Sequence, residues 1–222
     1  MQKIDNNSLP RIIALLEAEY RHWPRPMISE LVVQGKATPF VVLIGTILSL
    51  RTRDETTGPA LERLLRLADR AETLARVEPA KIAKAIYPVG FYNNKSKTII
   101  EVCEILTRQH DGEVPASLDE LLKLPGVGRK TANLVMTLGH GLDGICVDTH
   151  VHRISNRFGY VKTSSPDDTE MALRKQLPRQ YWIRYNDLLV GFGQQICKPI
   201  SPLCSRCPTQ KFCPKLGVER HR

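Results

Sequence analysis

Apolar residues recur at helical spacing along most of this chain. Ile12, Ile13, Leu15, Leu16 and Ala18 mark an amphipathic first helix. Ser8 is its expected N-cap, and Pro10 falls in the first turn, where a missing N–H costs little. Residues 39–50 are apolar all round, the pattern of a buried helix. Their β-branched side chains would also suit a strand, but no partner strand is evident. Asp54 is expected to cap the next helix, which runs through Leu61, Leu64 and Leu65. The pattern predicts further helices over 80–86, 97–109, 117–124, 129–138, 149–158 and 181–195. The connections carry turn residues, among them Pro88-Val89-Gly90, Pro125-Gly126 and Ser164-Ser165-Pro166. Strand-like alternation is scarce, so the fold class expected is all-α.

Composition narrows the class. The chain has 222 residues, of which 42% are hydrophobic, enough to bury a core in one large or two small domains. A formal net charge of +9 favours a polyanionic partner, chiefly nucleic acid, over a merely basic soluble protein only when a binding motif joins it. The longest apolar stretch, 39–50, is too short to cross a membrane. The N-terminus lacks the layout of a secretory signal, so a cytoplasmic, reducing location is expected, with few disulfides among six cysteines. The short basic segment after Cys213 is expected to be mobile.

The candidate chemistry begins in the segment Leu124-Pro125-Gly126-Val127-Gly128-Arg129-Lys130. It reads as a helix, a tight glycine turn and a second helix. Glycine permits positive φ and close backbone approach, and the first N–H groups of the second helix can point at an anion. Such donors hold a phosphate backbone without reading sequence. A bare Gly-Val-Gly would be weak, but the apolar frame of Leu121, Leu124, Val127, Ala132 and Val135 makes the hairpin specific. Lys130 lies in the first turn of that second helix. The positive helix end, and any burial, would disfavour its ammonium form, as an attacking amine requires. Asp148 opens Asp148-Thr149-His150-Val151-His152-Arg153 at an N-cap position, where helix N–H groups should keep it ionised. It could then stabilise a developing sugar cation or handle a proton. Taken singly, Lys130 would be a phosphate contact and Asp148 a cap; arriving together they favour chemistry. His150 and His152 are expected to face DNA or neighbouring side chains, not a metal.

Cys197, Cys204, Cys207 and Cys213 form C-x6-C-x2-C-x5-C in a proline-rich stretch. Four thiolates so close signal a metal site, and spacing alone leaves zinc and an iron–sulfur cluster both open. Lys198, Arg206, Lys211 and Lys215 make the same loop a possible clamp on a phosphate backbone. Cys103 and Cys146 stand apart on apolar segments and read as core thiols.

These stretches, together with Leu48-Ser49, Asp54 and 87–93, resemble the endonuclease III family of helix-hairpin-helix DNA glycosylases. The matching segments spread from about residue 30 to 213. The resemblance implies a six-helix barrel domain over 28–138, with its helix-hairpin-helix at about 117–138. It implies a second, iron–sulfur domain from 1–27 plus 139–222, with a DNA cleft between the two. The family's cysteine spacing implies a [4Fe-4S] cluster in loop 197–213, against zinc. The activity implied is bifunctional excision of oxidised pyrimidines: Lys130 attacks C1′, forms a Schiff base and cuts the strand by β-elimination, assisted by Asp148. The superfamily's monofunctional members lack a lysine at this place, so Lys130 implies AP-lyase activity as well. Gly126, Val127, Gly128, Arg129, His150 and Lys198 would contact DNA. Two residues depart from the family's common pattern. Arg51 stands where glutamine is usual, in a side chain that fills the gap left by a flipped nucleotide. Phe91 stands at a wedge position that is often aliphatic. The partner implied is damaged double-stranded DNA, bound by a monomer. A monofunctional glycosylase, a non-catalytic DNA-binding module and a redox carrier are the alternatives.

Overall fold

A computed structural model of the chain describes residues 4–222. Its regular elements are helical, with no strand among the described residues. In chain order the α-helices are α1 (Leu9–Tyr20), α2 (Met27–Val33), α3 (Pro39–Ser49), α4 (Asp54–Leu67), α5 (Ala71–Leu74) and α6 (Pro79–Ile86). They continue with α7 (Tyr92–Gln109), α8 (Leu118–Leu122), α9 (Arg129–Leu134), α10 (Thr149–Arg157), α11 (Pro166–Gln176) and α12 (Trp182–Gln195). A π-helical turn, Val135–Gly139, continues α9 directly. None of these helices is long and apolar enough to cross a membrane.

The chain divides into two compact units, one of Met27–Gly144 and the other of the residues up to Pro26 with Ile145–Arg222. In the first unit α3 is the central element. Thr38 caps it, its Oγ1 accepting from Val41 N at 3.2 Å, and the residues from Val42 to Leu48 are all buried. Ile82, Ile86, Ile99, Val102, Leu106, Leu121 and Val135 complete that core. The second unit packs Leu9, Ile12 and Leu16 of α1 with Val151 and Ile154 of α10 and Leu188, Leu189 and Phe192 of α12. Burial of that kind contributes roughly 1.5–3 kcal/mol per large side chain, and it is what holds helices with ordinary propensity together.

Several local expectations need correction. Asp54 is the first residue of α4, not its cap; Arg53 holds the cap position. The Asp54 carboxylate turns instead to α2, where it accepts from Met27 N at 3.1 Å. Ser8 holds the cap position of α1 but makes no side-chain cap bond. Its hydroxyl is taken by the Asp5 carboxylate at 2.8 Å, a local polar bond that competes with capping. Helix α7 begins five residues before the predicted start. Residues 164–166 do not form a simple turn, because Ser165 caps α11 and accepts from Asp168 N at 3.1 Å. That helix escapes a periodicity search because its buried face carries Thr169 and Glu170 beside Leu173. Nor does the segment after Cys213 hang free. Leu216 N donates to Arg157 O, Arg222 N to Pro202 O, and Ser205 N to Arg222 O, all within 3.1 Å.

Candidate functional site

The hairpin is α8, the turn 123–128 and α9. Ser117 caps α8, and Leu121, Leu124 and Val127 bury their side chains beneath the turn. Gly126 has φ +72°, and a Cβ there would lie 2.9 Å from Thr98 Cγ2, so the turn itself requires glycine. Gly128 differs. It sits at the cap position of α9 with φ −95° and ψ 179°, a conformation open to any residue. A Cβ added to it meets no described atom within 4 Å. Glycine at 128 suits its cap position better than alanine and leaves the backbone at the start of α9 open. Val127 is buried, so any ligand contact it makes is through its backbone. Arg129 and Lys130 open α9, both half-buried.

Asp148 does hold the N-cap position of α10. Its Oδ1 accepts from His150 N at 2.8 Å and from Val151 N at 3.0 Å. Its φ of −112° and ψ of −172° are the extended geometry of a cap residue. The carboxylate is thus fixed in orientation by two backbone donors and remains half-buried at the helix's positive end. His150 lies in the same turn, its Nδ1 3.1 Å from Arg153 Nη2. An arginine only donates, so Nδ1 is the acceptor and a neutral His150 carries its proton on Nε2. His152 is directed elsewhere, its Nδ1 2.7 Å from Thr169 Oγ1. Lys130 and Asp148 belong to different units.

Cys197, Cys204, Cys207 and Cys213 are all free thiols, and all four line one pocket that is partly open to solvent. Burial pushes the Cys204, Cys207 and Cys213 thiols up, Cys213 to about 11, with neighbouring cysteine sulfurs adding to the effect. Thiols so disposed release their protons to a bound cationic centre. Polar groups already turn towards the sulfurs: Arg157 Nη1 and Lys215 N each donate at 3.4 Å, to Cys197 Sγ and Cys213 Sγ, and Thr209 Oγ1 lies 3.3 Å from Cys207 Sγ. Among the described residues no three His, Cys, Asp or Glu side chains converge to hold a single metal ion. Four free thiols bordering one pocket suit a thiophilic metal ion or metal cluster.

The sequence offers no signal for the two arginines that connect α10 to this loop. Arg157 is buried, and its guanidinium donates to Lys198 O and Pro199 O, each at 2.7 Å. Arg153 donates to Cys197 O at 2.9 Å while touching His150. Gly193 makes room for this pair, since a Cβ there would fall 2.4 Å from His150 Nδ1. Lys198 is half-buried on the loop that Arg157 holds.

Arg51 and Phe91, far apart in sequence, come together in the first unit. The Arg51 guanidinium carbon lies 5.8 Å from the centre of the Phe91 ring. Both residues are exposed, and both have positive φ, 54° and 59°. Lys95, which the motif reading passed over, lies buried just beneath them.

Comparison with known proteins sorts this geometry. The model of the HhH-GPD superfamily of base excision DNA repair proteins matches residues 44–179. The chain is 49% identical to Endonuclease III of Thermotoga maritima over 175 residues, 79% of this chain and 82% of that protein. It is 46% identical to the chloroplastic Endonuclease III homolog 2 of Arabidopsis thaliana over 193 residues, 83% of this chain but only 50% of that longer protein. Among solved structures, a non-covalent Endonuclease III–DNA complex matches with a TM-score of 0.84 at 30% identity, covering 96% of each chain. A trapped covalent Endonuclease III–DNA intermediate matches with a TM-score of 0.75 at 33% identity, covering 86% of this chain and 93% of that one. Fold and relatives together define a base-excision repair protein with the helix-hairpin-helix glycosylase fold. More narrowly, the chain belongs to the endonuclease III family, DNA glycosylases with AP lyase activity.

Proposed function

We propose that this protein excises oxidised pyrimidines from double-stranded DNA and cuts the resulting abasic site, with Lys130 as nucleophile and Asp148 as its carboxylate partner. The observation that carries the reading is the Asp148 cap. Two backbone donors hold its Oδ1 at the start of α10, so the carboxylate is presented in one orientation and not left to wander. The glycine at 128, which leaves the start of α9 unobstructed, supports the hairpin as the phosphate anchor beside Lys130.

Each step has a place for these residues. The Gly126–Arg129 backbone grips phosphate, and Arg51 and Phe91 enter the duplex where the damaged nucleotide leaves the stack. The neutral Lys130 amine attacks C1′ as the C1′–N bond breaks and the base departs with a proton. Asp148 stabilises the positive charge that develops on the sugar. One amine proton leaves with the base; ring opening then takes a proton from solvent onto O4′ and leaves Lys130 joined to C1′ as a protonated Schiff base, which acidifies C2′. Removal of a C2′ proton then expels the 3′ phosphate, and water releases Lys130. His150, through Nε2–H, and Lys198 supply further phosphate contacts.

The cysteine loop takes no direct part in this sequence. We propose that Cys197, Cys204, Cys207 and Cys213 hold a [4Fe-4S] cluster, which ties the loop into one rigid body. Arg157 keeps the segment after Cys197 in place, and with it Lys198. The enzyme acts as a monomer in the compartment that holds the DNA.

Incubation with duplex containing thymine glycol in the presence of borohydride tests the reading. A covalent protein–DNA adduct is expected with the natural protein and none with Lys130→Gln, whose DNA binding should persist. An adduct of equal yield from Lys130→Gln overturns the assignment of the nucleophile. Stoichiometric zinc without iron in anaerobically purified protein overturns the cluster.

A further inference from the structure

The exposed pair Arg51 and Phe91 is held in left-handed backbone, Arg51 just past the end of α3 and Phe91 at the cap of α7, where its carbonyl accepts from Lys95 N at 2.9 Å. Left-handed backbone costs a non-glycine residue roughly 1–2 kcal/mol, and bulky residues rarely adopt it. Both residues adopt it, yet Phe91 remains 59% exposed, so the strain is not offset by burial of the side chain. Strain persists only where the surroundings over-determine it. Here the surroundings are few and specific. Arg51 follows the C-terminal end of α3, and Phe91 immediately precedes α7. Between them Gly90 N donates to Thr52 Oγ1 at 3.1 Å. A Cβ at Gly90 would lie 3.0 Å from Arg51 O, so the two turns press together backbone to backbone.

Lys95 lies at the centre of this arrangement. It is only 8% exposed, and its ammonium donates to Leu48 O at 2.7 Å, Leu50 O at 2.6 Å and Thr52 Oγ1 at 3.3 Å. Three protons meet three acceptors, so the group is fully satisfied only as a cation. Two of the acceptors are carbonyls at the end of α3, where a positive charge is favoured. Thr52 completes the set: it donates to Leu50 O and accepts from both Lys95 and Gly90. Burial nevertheless lowers the Lys95 amine to about 8, an expense that a hydrophobic residue at this place would avoid.

We propose that Lys95 is a positioning residue that fixes Arg51 and Phe91 as one stacked wedge, and thereby governs how readily the enzyme opens an intact duplex at a lesion. This rests on the reading of Arg51 and Phe91 as the residues that enter DNA. Lys95 itself touches no nucleotide. It locks the turn 50–52 from below, Thr52 passes the restraint to Gly90, and Gly90 sets the place of the Phe91 ring under the guanidinium. A wedge pre-set in this way needs no ordering when DNA binds. Its loss should weigh most on substrates whose base is still paired and stacked, and least on an abasic site, which leaves the stack at little cost.

Single-turnover rates on two duplexes separate these effects. One carries thymine glycol; the other carries a preformed abasic site. Lys95→Gln and Thr52→Val should each slow excision of thymine glycol about tenfold or more, as a small misplacement remote from the chemistry can. Cleavage of the abasic duplex should stay within about threefold, and Lys95→Arg should recover part of the loss. Fluorescence of 2-aminopurine opposite a non-cleavable abasic analogue should fall with the excision rate. Folded variants that excise thymine glycol at the natural rate overturn the proposal. So does an equal fall on both duplexes in step with a lower melting temperature, which is a merely structural role. If Lys95→Gln does not fold, Thr52→Val, close in volume, decides alone. Arg51→Ala and Phe91→Ala are the controls: if neither slows thymine glycol excision, the wedge reading itself fails, and any effect of Lys95→Gln must have another cause.

Discussion

Replacing each hairpin glycine by alanine adds one methyl group at two positions two residues apart, with opposite expected outcomes. At Gly126 the backbone is left-handed, φ +72°, which costs alanine roughly 1–2 kcal/mol. The new Cβ would also stand 2.9 Å from Thr98 Cγ2, a contact that side chain must rotate or shift to relieve. A total near 2 kcal/mol lowers the melting temperature by about 4–8 °C for a chain of this size. At Gly128 the backbone is already acceptable to alanine and the methyl group meets no described atom. Reduced freedom of the unfolded chain adds about 0.4–1 kcal/mol of stability, and alanine's poorer capping takes away a similar amount. The melting temperature should therefore hardly move. On the proposed reading, the methyl group instead occupies the surface through which phosphate approaches the start of α9. Losing one charge-assisted hydrogen bond there, about 1.5–3 kcal/mol, weakens DNA binding by about 10- to 150-fold. Thermal melts followed by circular dichroism, and anisotropy with a fluorescent duplex carrying a non-cleavable abasic analogue, measure both quantities. Gly128→Ala binding DNA as the natural protein does would refute the reading that phosphate approaches the backbone at this glycine. Gly126→Ala melting unchanged would refute the conformational one.

Other outcomes follow from the same structure. Asp148→Asn should keep the cap, since asparagine caps as well as aspartate, and lose most turnover; Asp148→Ala should lose turnover and in addition about 0.5–2 kcal/mol of stability. If the asparagine variant unfolds as readily as the alanine one in urea, the carboxylate's charge serves the fold. Burial pushes the fully buried Cys103 thiol up to about 12, so its thiolate fraction at pH 8 is on the order of one in ten thousand. Iodoacetamide followed by mass spectrometry should leave Cys103 unmodified in native protein and label it in urea; rapid native labelling contradicts its place in the core. Lys95 holds its proton less tightly folded, about 8, than at its ordinary 10.5, so between these values the unfolded chain binds more protons and stability rises with pH. That contribution is lost as pH falls through about 8. From pH 7.5 to 9.5 the natural protein should gain about 2 kcal/mol relative to Lys95→Met in urea melts, and a gap that does not widen argues against a buried amine.

Much of this was legible along the chain because the information is local. The hairpin needs a glycine at a left-handed turn and apolar residues at helical spacing around it, and Gly126, Leu121, Leu124 and Val127 supply both within a few residues. Asp148 announces a cap by standing one residue before an amphipathic helix. The cysteine spacing gathers four thiols within a single loop. Where reading failed, a local rule met a distant partner. Asp54 has the composition of a cap, but Met27 N takes its carboxylate. Helix α11 has a clear start at Ser165 and Pro166, yet its inner face carries Thr169 and Glu170, and Glu170 is kept there by Arg174 Nε at 2.9 Å. The segment after Cys213 looks like a loose basic tail until its backbone bonds to Arg157 and Pro202 are seen.

The sequence by itself determined the helical class, the glycine turn of the hairpin, the cap at Asp148, the thiol loop and, through their combination, the family. Each depends on residues near one another in the chain, where spacing already implies geometry. The tertiary structure alone decided how these parts are held. It brought Arg51 over Phe91 and set Lys95 beneath them, pressed Gly90 against the Arg51 carbonyl, and ran Arg153 and Arg157 from α10 to the cysteine loop. The physical reason is common to all of these. A buried cation must find its acceptors, and the carbonyls that satisfy Lys95 and Arg157 lie more than forty residues away, free to accept only because a helix ends or a loop turns there.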